Sequence, residues 1–216
     1  MTMNRRDFLR MSAALTAAGM SPSLFAATKE QFTIYGAPAM PSVTIAVAAA
    51  QGKLAKQADV ALEIWRSPDQ LRAGVASGQF KVMMSPSNVG VNLRNQGQQV
   101  GMVNILTNGI TQLMCKSTPI TSPQELVGKK ILVPFKNDMP DIVLQALLKK
   151  LNIDINKVDI TYAATPTEAI GLFLLKDFHA AILPEPMASA VVLKAKIVGT
   201  EIVRGFDLVK EWGQAF

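Results

Sequence analysis

Three strings in this chain fix where helices begin: Ser67-Pro68-Asp69-Gln70, Ser122-Pro123-Gln124-Glu125 and Thr165-Pro166-Thr167-Glu168. Each has a hydroxyl that can cap a helix, a proline whose φ is preset for the first helical position, and an acceptor at the third position that can reach back over the start. Two of the three follow directly on β-prone runs, Val60 to Trp65 and Val158 to Tyr162. A strand delivered straight into a helix start, more than once, is the grammar of an α/β fold with mostly parallel sheets.

The rest of the chain repeats it. Strands are predicted at Phe32–Tyr35, Val60–Trp65, Lys81–Met84, Val100–Leu106, Ile110–Cys115, Lys130–Val133, Val158–Tyr162 and Ala180–Leu183. Helices are predicted from Val43 to Ala50, from Pro68, from about Ser87 to Gly97, over a short stretch after Ser122, and from Asp138 to about Leu151. Two more follow Thr165 and Pro186. The helix after Asp138 is expected to turn Ile142, Val143, Ala146, Leu147 and Leu151 inward, and the one after Thr165 to bury Ala169, Ile170, Phe173 and Leu174. Two successive blocks of this kind, joined through Leu106 to Cys115, imply two lobes: residues 28–108 and 109–200.

Ligands of open α/β sheets sit outside the carboxyl ends of the strands, where helix N-termini present unpaired N–H groups. The junctions of that kind are small, hydroxylic or proline-rich, and they place Pro38, Met40, Ser67, Ser85, Asn88, Asn108, Asn137 and Glu185 around one expected cleft. For Ser67, Ser85 and Ser87 the competing role is capping alone. Glu185 either orients a ligand amine or hydroxyl, or serves a helix dipole. Arg66 and Lys136 are the cations at such junctions.

Composition narrows the chemistry. The chain has one cysteine, Cys115, and one histidine, His179. Disulfides, thiolate zinc sites, iron–sulfur ligation and bis-histidine sites are thereby excluded. Cys115 lies in an apolar run and reads as a small buried hydrophobe. His179, at a helix-to-strand junction, reads as a surface or carbonyl-capping residue. The only route to a Ser-His-Asp arrangement runs through it, and no Gly-x-Ser-x-Gly elbow accompanies it. No catalytic residue, metal or cofactor is expected. The lysines form no basic run interleaved with aromatics, so nucleic acid is not an expected partner.

Residues 1–27 read as an address. Asn4-Arg5-Arg6-Asp7-Phe8-Leu9, a weakly apolar stretch and a small-residue exit at Ala26-Ala27 make a twin-arginine export signal, too short and too polar for a membrane span. The signal carries three arginines against one aspartate, so its removal takes the formal charge from +6 to +4. A periplasmic location is expected. With Arg5→Lys and Arg6→Lys together, unprocessed precursor should accumulate in the cytoplasm, which fractionation and immunoblotting would show; normal processing of that variant would mean the address is misread.

Tyr35-Gly36-Ala37-Pro38, Ser85-Pro86-Ser87-Asn88-Val89, the run Leu126 to Pro134 and Ala180 to Pro186, in that order and spacing, resemble the periplasmic substrate-binding proteins of ABC transporters, in the nitrate/sulfonate/taurine-type group. The resemblance covers essentially all of residues 30–216. It implies a type II periplasmic-binding-protein fold, hinged lobes closing on one small polar ligand, anionic or zwitterionic, and delivery to an ABC permease in the inner membrane. Proteins of this group continue for roughly a hundred residues beyond the point matching Phe216 and cross back into the first lobe. Residues 201–216 are therefore expected to begin that return crossing. The first lobe is expected to be incomplete, with an exposed sheet edge that takes up a complementing C-terminal segment or drives self-association. A fragment, a truncated gene product and half of a split pair all fit. The competing functions are an enzyme of the pyrimidine-precursor synthase type on the same fold, and a non-transport sensor or interaction module.

Overall fold

A computed structural model describes residues 31–55 and 58–215; the export signal lies outside them. Among the described residues there are two sheets. In the first, β1 (Gln31–Gly36), β2 (Asp59–Ile64) and β3 (Val82–Met83) run parallel in the order β2-β1-β3. In the second, β4 (Thr111–Lys116), β5 (Lys130–Pro134), β6 (Asp159–Ala163), β7 (Ala180–Pro184) and β8 (Ile202–Arg204) follow the order β6-β5-β7-β4-β8, with β4 antiparallel to both neighbours and the rest parallel. The helices are α1 (Met40–Ala50), α2 (Pro68–Ala76), α3 (Ser87–Asn95), α4 (Met139–Lys150), α5 (Pro166–Leu175), α6 (Met187–Ile197) and α7 (Leu208–Ala215). No helix of the described residues is long and apolar enough to cross a membrane.

The second sheet is covered on both faces, and its strands show why they read as continuous apolar runs. Leu113 and Cys115 of β4, Ile131 and Val133 of β5, and Ala180 and Ile182 of β7 face a core with Leu144, Leu147 and Leu148 of α4 and Leu208 of α7. The residues between them, Met114, Leu132, Ala181 and Leu183, face a second core with Ala169, Ile170 and Phe173 of α5 and Ala188, Val191 and Ala195 of α6. Each fully buried leucine or phenylalanine there contributes about 1.5–3 kcal/mol. Helix α5 buries what its spacing predicts, apart from a half-buried Leu174. In α4 the buried stripe is Leu144, Leu147 and Leu148, and Ile142 is 41% exposed, because the capping Asp138 and the buried Asp141 rotate the first turn away from the predicted face.

The first lobe has a smaller core of Ala37, Trp65, Leu71, Val75, Phe80, Val89 and Leu93. Residues 100–106, predicted to be a strand, join neither sheet. A strand exists only where a neighbour accepts its hydrogen bonds, and among the described residues no strand pairs with this segment. Met102, Val103, Ile105 and Leu106 are exposed in consequence, Val103 completely. Residues 202–204, assigned from the sequence to the return crossing, instead form β8 at the edge of the second sheet.

Candidate functional site

The helix starts share one local motif. In α2, α5 and the 3-10 turn Pro123–Leu126, the acceptor at the third helical position takes the backbone N–H of the residue before the cap: Gln70 from Arg66 at 2.7 Å, Glu168 from Ala164 at 2.8 Å, Glu125 from Thr121 at 3.1 Å. This is one residue earlier than in a standard capping box. Ser67 and Thr165 cap as expected, accepting from Gln70 N at 3.2 Å and Glu168 N at 3.1 Å. Ser122 does not cap, and the α3 start has Pro86 at the cap with no side-chain bond, so neither Ser85 nor Ser87 plays the capping role.

Helix α4 carries the same motif, moved into the interior. Asp138 caps it, accepting from Met139 N at 2.8 Å, and Asp141 takes the N–H of Asn137 at 2.7 Å. Asp141 is fully buried, unlike Gln70, Glu125 and Glu168, and also accepts from Gln145 Nε2 at 2.8 Å and from the Tyr162 hydroxyl at 2.9 Å. Burial first, then the hydrogen bond and charge of Asp141, push the Tyr162 phenol up to about 12. This network holds the turn between β5 and α4, where Phe135 and Asn137 both have φ of 61°. For a residue as bulky as Phe135 that conformation costs about 1–3 kcal/mol and persists only where the surroundings over-determine it.

What the turn presents is a set of contacts to the first lobe. Phe135 packs against the first lobe's core, its ring 6.5 Å from that of Trp65. The Asp138 carboxylate, on a residue only 3% exposed, receives Arg72 of α2 at 3.3 Å and Asn88 of α3 at 3.5 Å. At the neighbouring strand end, the N–H of Met40 donates to the Glu185 carbonyl at 2.8 Å. Gly36 makes the close approach behind it possible, since a Cβ there would lie 2.5 Å from Ser42 Oγ.

Of the eight residues expected around the cleft, the structure thus brings Met40 to Glu185 through the backbone, and Asn88 to Asp138, next to Asn137. Pro38 and Ser85 are half-buried in the turns that follow β1 and β3. Ser67 is committed to its helix, and Asn108 is exposed on the connection between the sheets. The Glu185 carboxylate is taken by Ser189 N and Oγ at 3.1 and 2.8 Å and by Arg204 at 2.9 Å. Burial raises this carboxyl, but the Ser189 and Arg204 contacts together outweigh burial and hold it below the usual glutamate value. Lys136 lies 5.2 Å from the Tyr162 ring centre.

Sequence reasoning took Asp138 for a cap and missed Arg72, Phe135 and Asp141. The i, i+3 spacing of Asp138 and Asp141, matching the three capping strings, was the available signal. A cavity of about 300 Å³ opens elsewhere, on the first lobe between Tyr35, Glu63, Trp65, Gln70, Ser77 and Phe80. None of the eight residues lines it. Its Trp65 indole is already bonded to the Met84 carbonyl, and Tyr35 stacks on Phe80 at 3.7 Å; the strained turn and the Arg72–Asp138 pair lie at the lobe contact instead.

Cys115 is wholly buried, and burial pushes its thiol up, away from nucleophilic use. His179 accepts from Lys130 N at 3.0 Å through Nδ1. Among the described residues no group of three or more His, Cys, Asp or Glu is placed to hold a metal ion.

Against this geometry, the sequence profile described as NMT1/THI5 like matches residues 40–183, more than half of the chain. The chain belongs to the NMT1/THI5-like family. A profile of the twin-arginine translocation signal matches residues 2–22, and the protein is periplasmic by that route. No curated protein sequence matches the chain. Solved structures similar to this NMT1/THI5-like chain include an ABC transporter protein from Parabacteroides distasonis, 20% identical, with a TM-score of 0.59 over 84% of this chain and 59% of that one. The alkanesulfonate-binding protein SsuA from Xanthomonas axonopodis, bound to MOPS, is 17% identical, with a TM-score of 0.59 over 88% and 70%. An ancestral arginine-binding protein bound to arginine is 16% identical, with a TM-score of 0.58 over 87% and 91%. These likenesses show the α/β fold with mostly parallel sheets found in periplasmic binding proteins. The chain spans 59% of the length of the first of these relatives.

Proposed function

We infer that this chain is the substrate-binding component of an ABC importer, holding a small polar ligand between its two lobes in the periplasm and delivering it to an inner-membrane permease. The observation that carries the reading is the facing of two sets of strand ends, β1 and β3 against β5 and β7, with the rigid Phe135–Asp138 turn aimed from one lobe into the other. Ligand groups are received by Pro38, Met40, Ser85, Asn88, Asn137 and Glu185, with Ser67 and Asn108 at the rim. The ligand class is anionic or zwitterionic, of the sulfonate, nitrate or taurine kind.

Trp65 reports on the site because its ring lies beside Phe135 of the other lobe. Titration of the mature protein with alkanesulfonates, taurine and nitrate should quench or shift tryptophan emission saturably, without product. Asn88→Ala should weaken that binding by about 1–3 kcal/mol, the cost of a lost polar contact at a partly solvated site. Asn137 stands at a positive φ that alanine tolerates poorly, so Asn137→Gly is the cleaner removal of its side chain. No saturable signal with any of these ligands, or turnover of an added pyrimidine precursor, would overturn the reading in favour of a sensor or a synthase respectively.

A further inference from the structure

We propose that Arg72 and Asp138 form a charge latch that sets the resting position of the lobes, Arg72 being required for closure because it neutralises a carboxylate that closure buries. The proposal rests on the two-lobed binding reading for its use, but its physical basis is independent of any ligand.

Asp138 is more than its helix needs. A cap requires one side-chain acceptor, and Asn, Ser or Thr would serve as well as Asp. The turn before it is already held by Asp141. The negative charge at 138 also suits the positive end of the helix, but that modest gain does not require burial, and its side chain is only 4% exposed. A buried carboxylate is tolerated when it is paired and costly when it is not. Its partner comes from the opposite lobe: Arg72 NH2 at 3.3 Å, with Asn88 Nδ2 at 3.5 Å adding a neutral donor. Arg72 is itself oriented, because its other terminal nitrogen is held by Asp69, three residues earlier on α2, at 3.1 Å. Asp69 thus favours one orientation of the Arg72 guanidinium, and Asp138 receives it from a turn held by Asp141.

The consequence is asymmetric. Removing Arg72 leaves the closed form with a buried carboxylate that keeps the donors Met139 N and Asn88 Nδ2 but has no cation, and separation of the lobes hydrates it more fully. Removing both charges leaves nothing to hydrate, and the Phe135 and Met40–Glu185 contacts still favour closure. A residue that merely packed between the lobes would not show this rescue.

The test is a distance measurement by pulsed electron paramagnetic resonance in the mature protein, with spin labels at Val91→Cys on α3 and Leu193→Cys on α6, both well exposed, while wholly buried Cys115 stays unlabelled. Without ligand the native pair should give a short distance together with a measurable longer one. Arg72→Met should raise the longer-distance population roughly fivefold, Arg72→Lys should keep the short distance, and Arg72→Met combined with Asp138→Asn should restore it. Asp138→Asn alone retains the cap and should fold and close. An unchanged distribution in Arg72→Met, or a double variant as open as the single one, would overturn the latch. If Arg72→Met does not fold, a retained short distance in Arg72→Gln decides against it by the same criterion, and an opened one decides for it. Failure to bind any ligand would count against the importer reading and leave these distances as they are.

Discussion

Asp141→Ala is expected to destabilise this protein by about 3–5 kcal/mol, a large share of the stability of a domain this size. The carboxylate is completely buried and accepts three hydrogen bonds, from Asn137 N, Gln145 Nε2 and the Tyr162 hydroxyl. Truncation leaves the Asn137 N–H and the phenol without an acceptor inside the second lobe and frees the turn that holds Phe135 and Asn137 at positive φ. Tyr162→Phe removes one donor and leaves the carboxylate two, so its cost should be nearer 1–2 kcal/mol. The pH dependence has a definite sign. Because the folded phenol is raised to about 12, above its ordinary value of about 10, the folded state holds its proton longer than the unfolded one. Its contribution is complete below pH ~10 and is lost as pH rises towards 12. Urea unfolding at neutral pH and across that alkaline window would show both effects, and Tyr162→Phe should lack the alkaline component. An Asp141→Ala variant that unfolds at the native midpoint would refute the account.

The second large effect concerns the unpaired segment of the first lobe. Met102, Val103, Ile105 and Leu106 are 72%, 100%, 66% and 46% exposed on a stretch outside both sheets. A cluster of exposed apolar side chains on a segment outside any sheet invites association with another chain. The mature protein should therefore bind a hydrophobic dye and self-associate at micromolar concentration. Val103→Lys with Ile105→Lys should weaken association about a hundredfold or more, since two buried side chains at about 1.5 kcal/mol each are withdrawn from the contact. Sedimentation velocity on both proteins measures this. A sharply melting, dye-silent native monomer would show that the segment is satisfied within one chain.

The sequence by itself determined what is local. Twin arginines ahead of Phe8-Leu9 gave the address, and three Ser-Pro or Thr-Pro strings gave helix starts. Apolar runs such as Lys130–Val133 and Ala180–Leu183 gave the strands of the second sheet. All of these depend on contacts within about four residues, or on an apolar run long enough to need burial on both faces. Tertiary structure decided what depends on the neighbour across a gap. Gln70, Glu125, Glu168 and Asp141 occupy the same place in the same motif, yet only Asp141 is enclosed, because Tyr162 of β6 and Gln145 close over it. Val100 to Leu106 has a strand's composition and is not one, because among the described residues no strand pairs with it. Arg72 and Asp138 are 66 residues apart, and nothing near either one marks it as the other's partner. Burial and pairing belong to two pieces of chain at once, and spacing along one piece carries no record of the other.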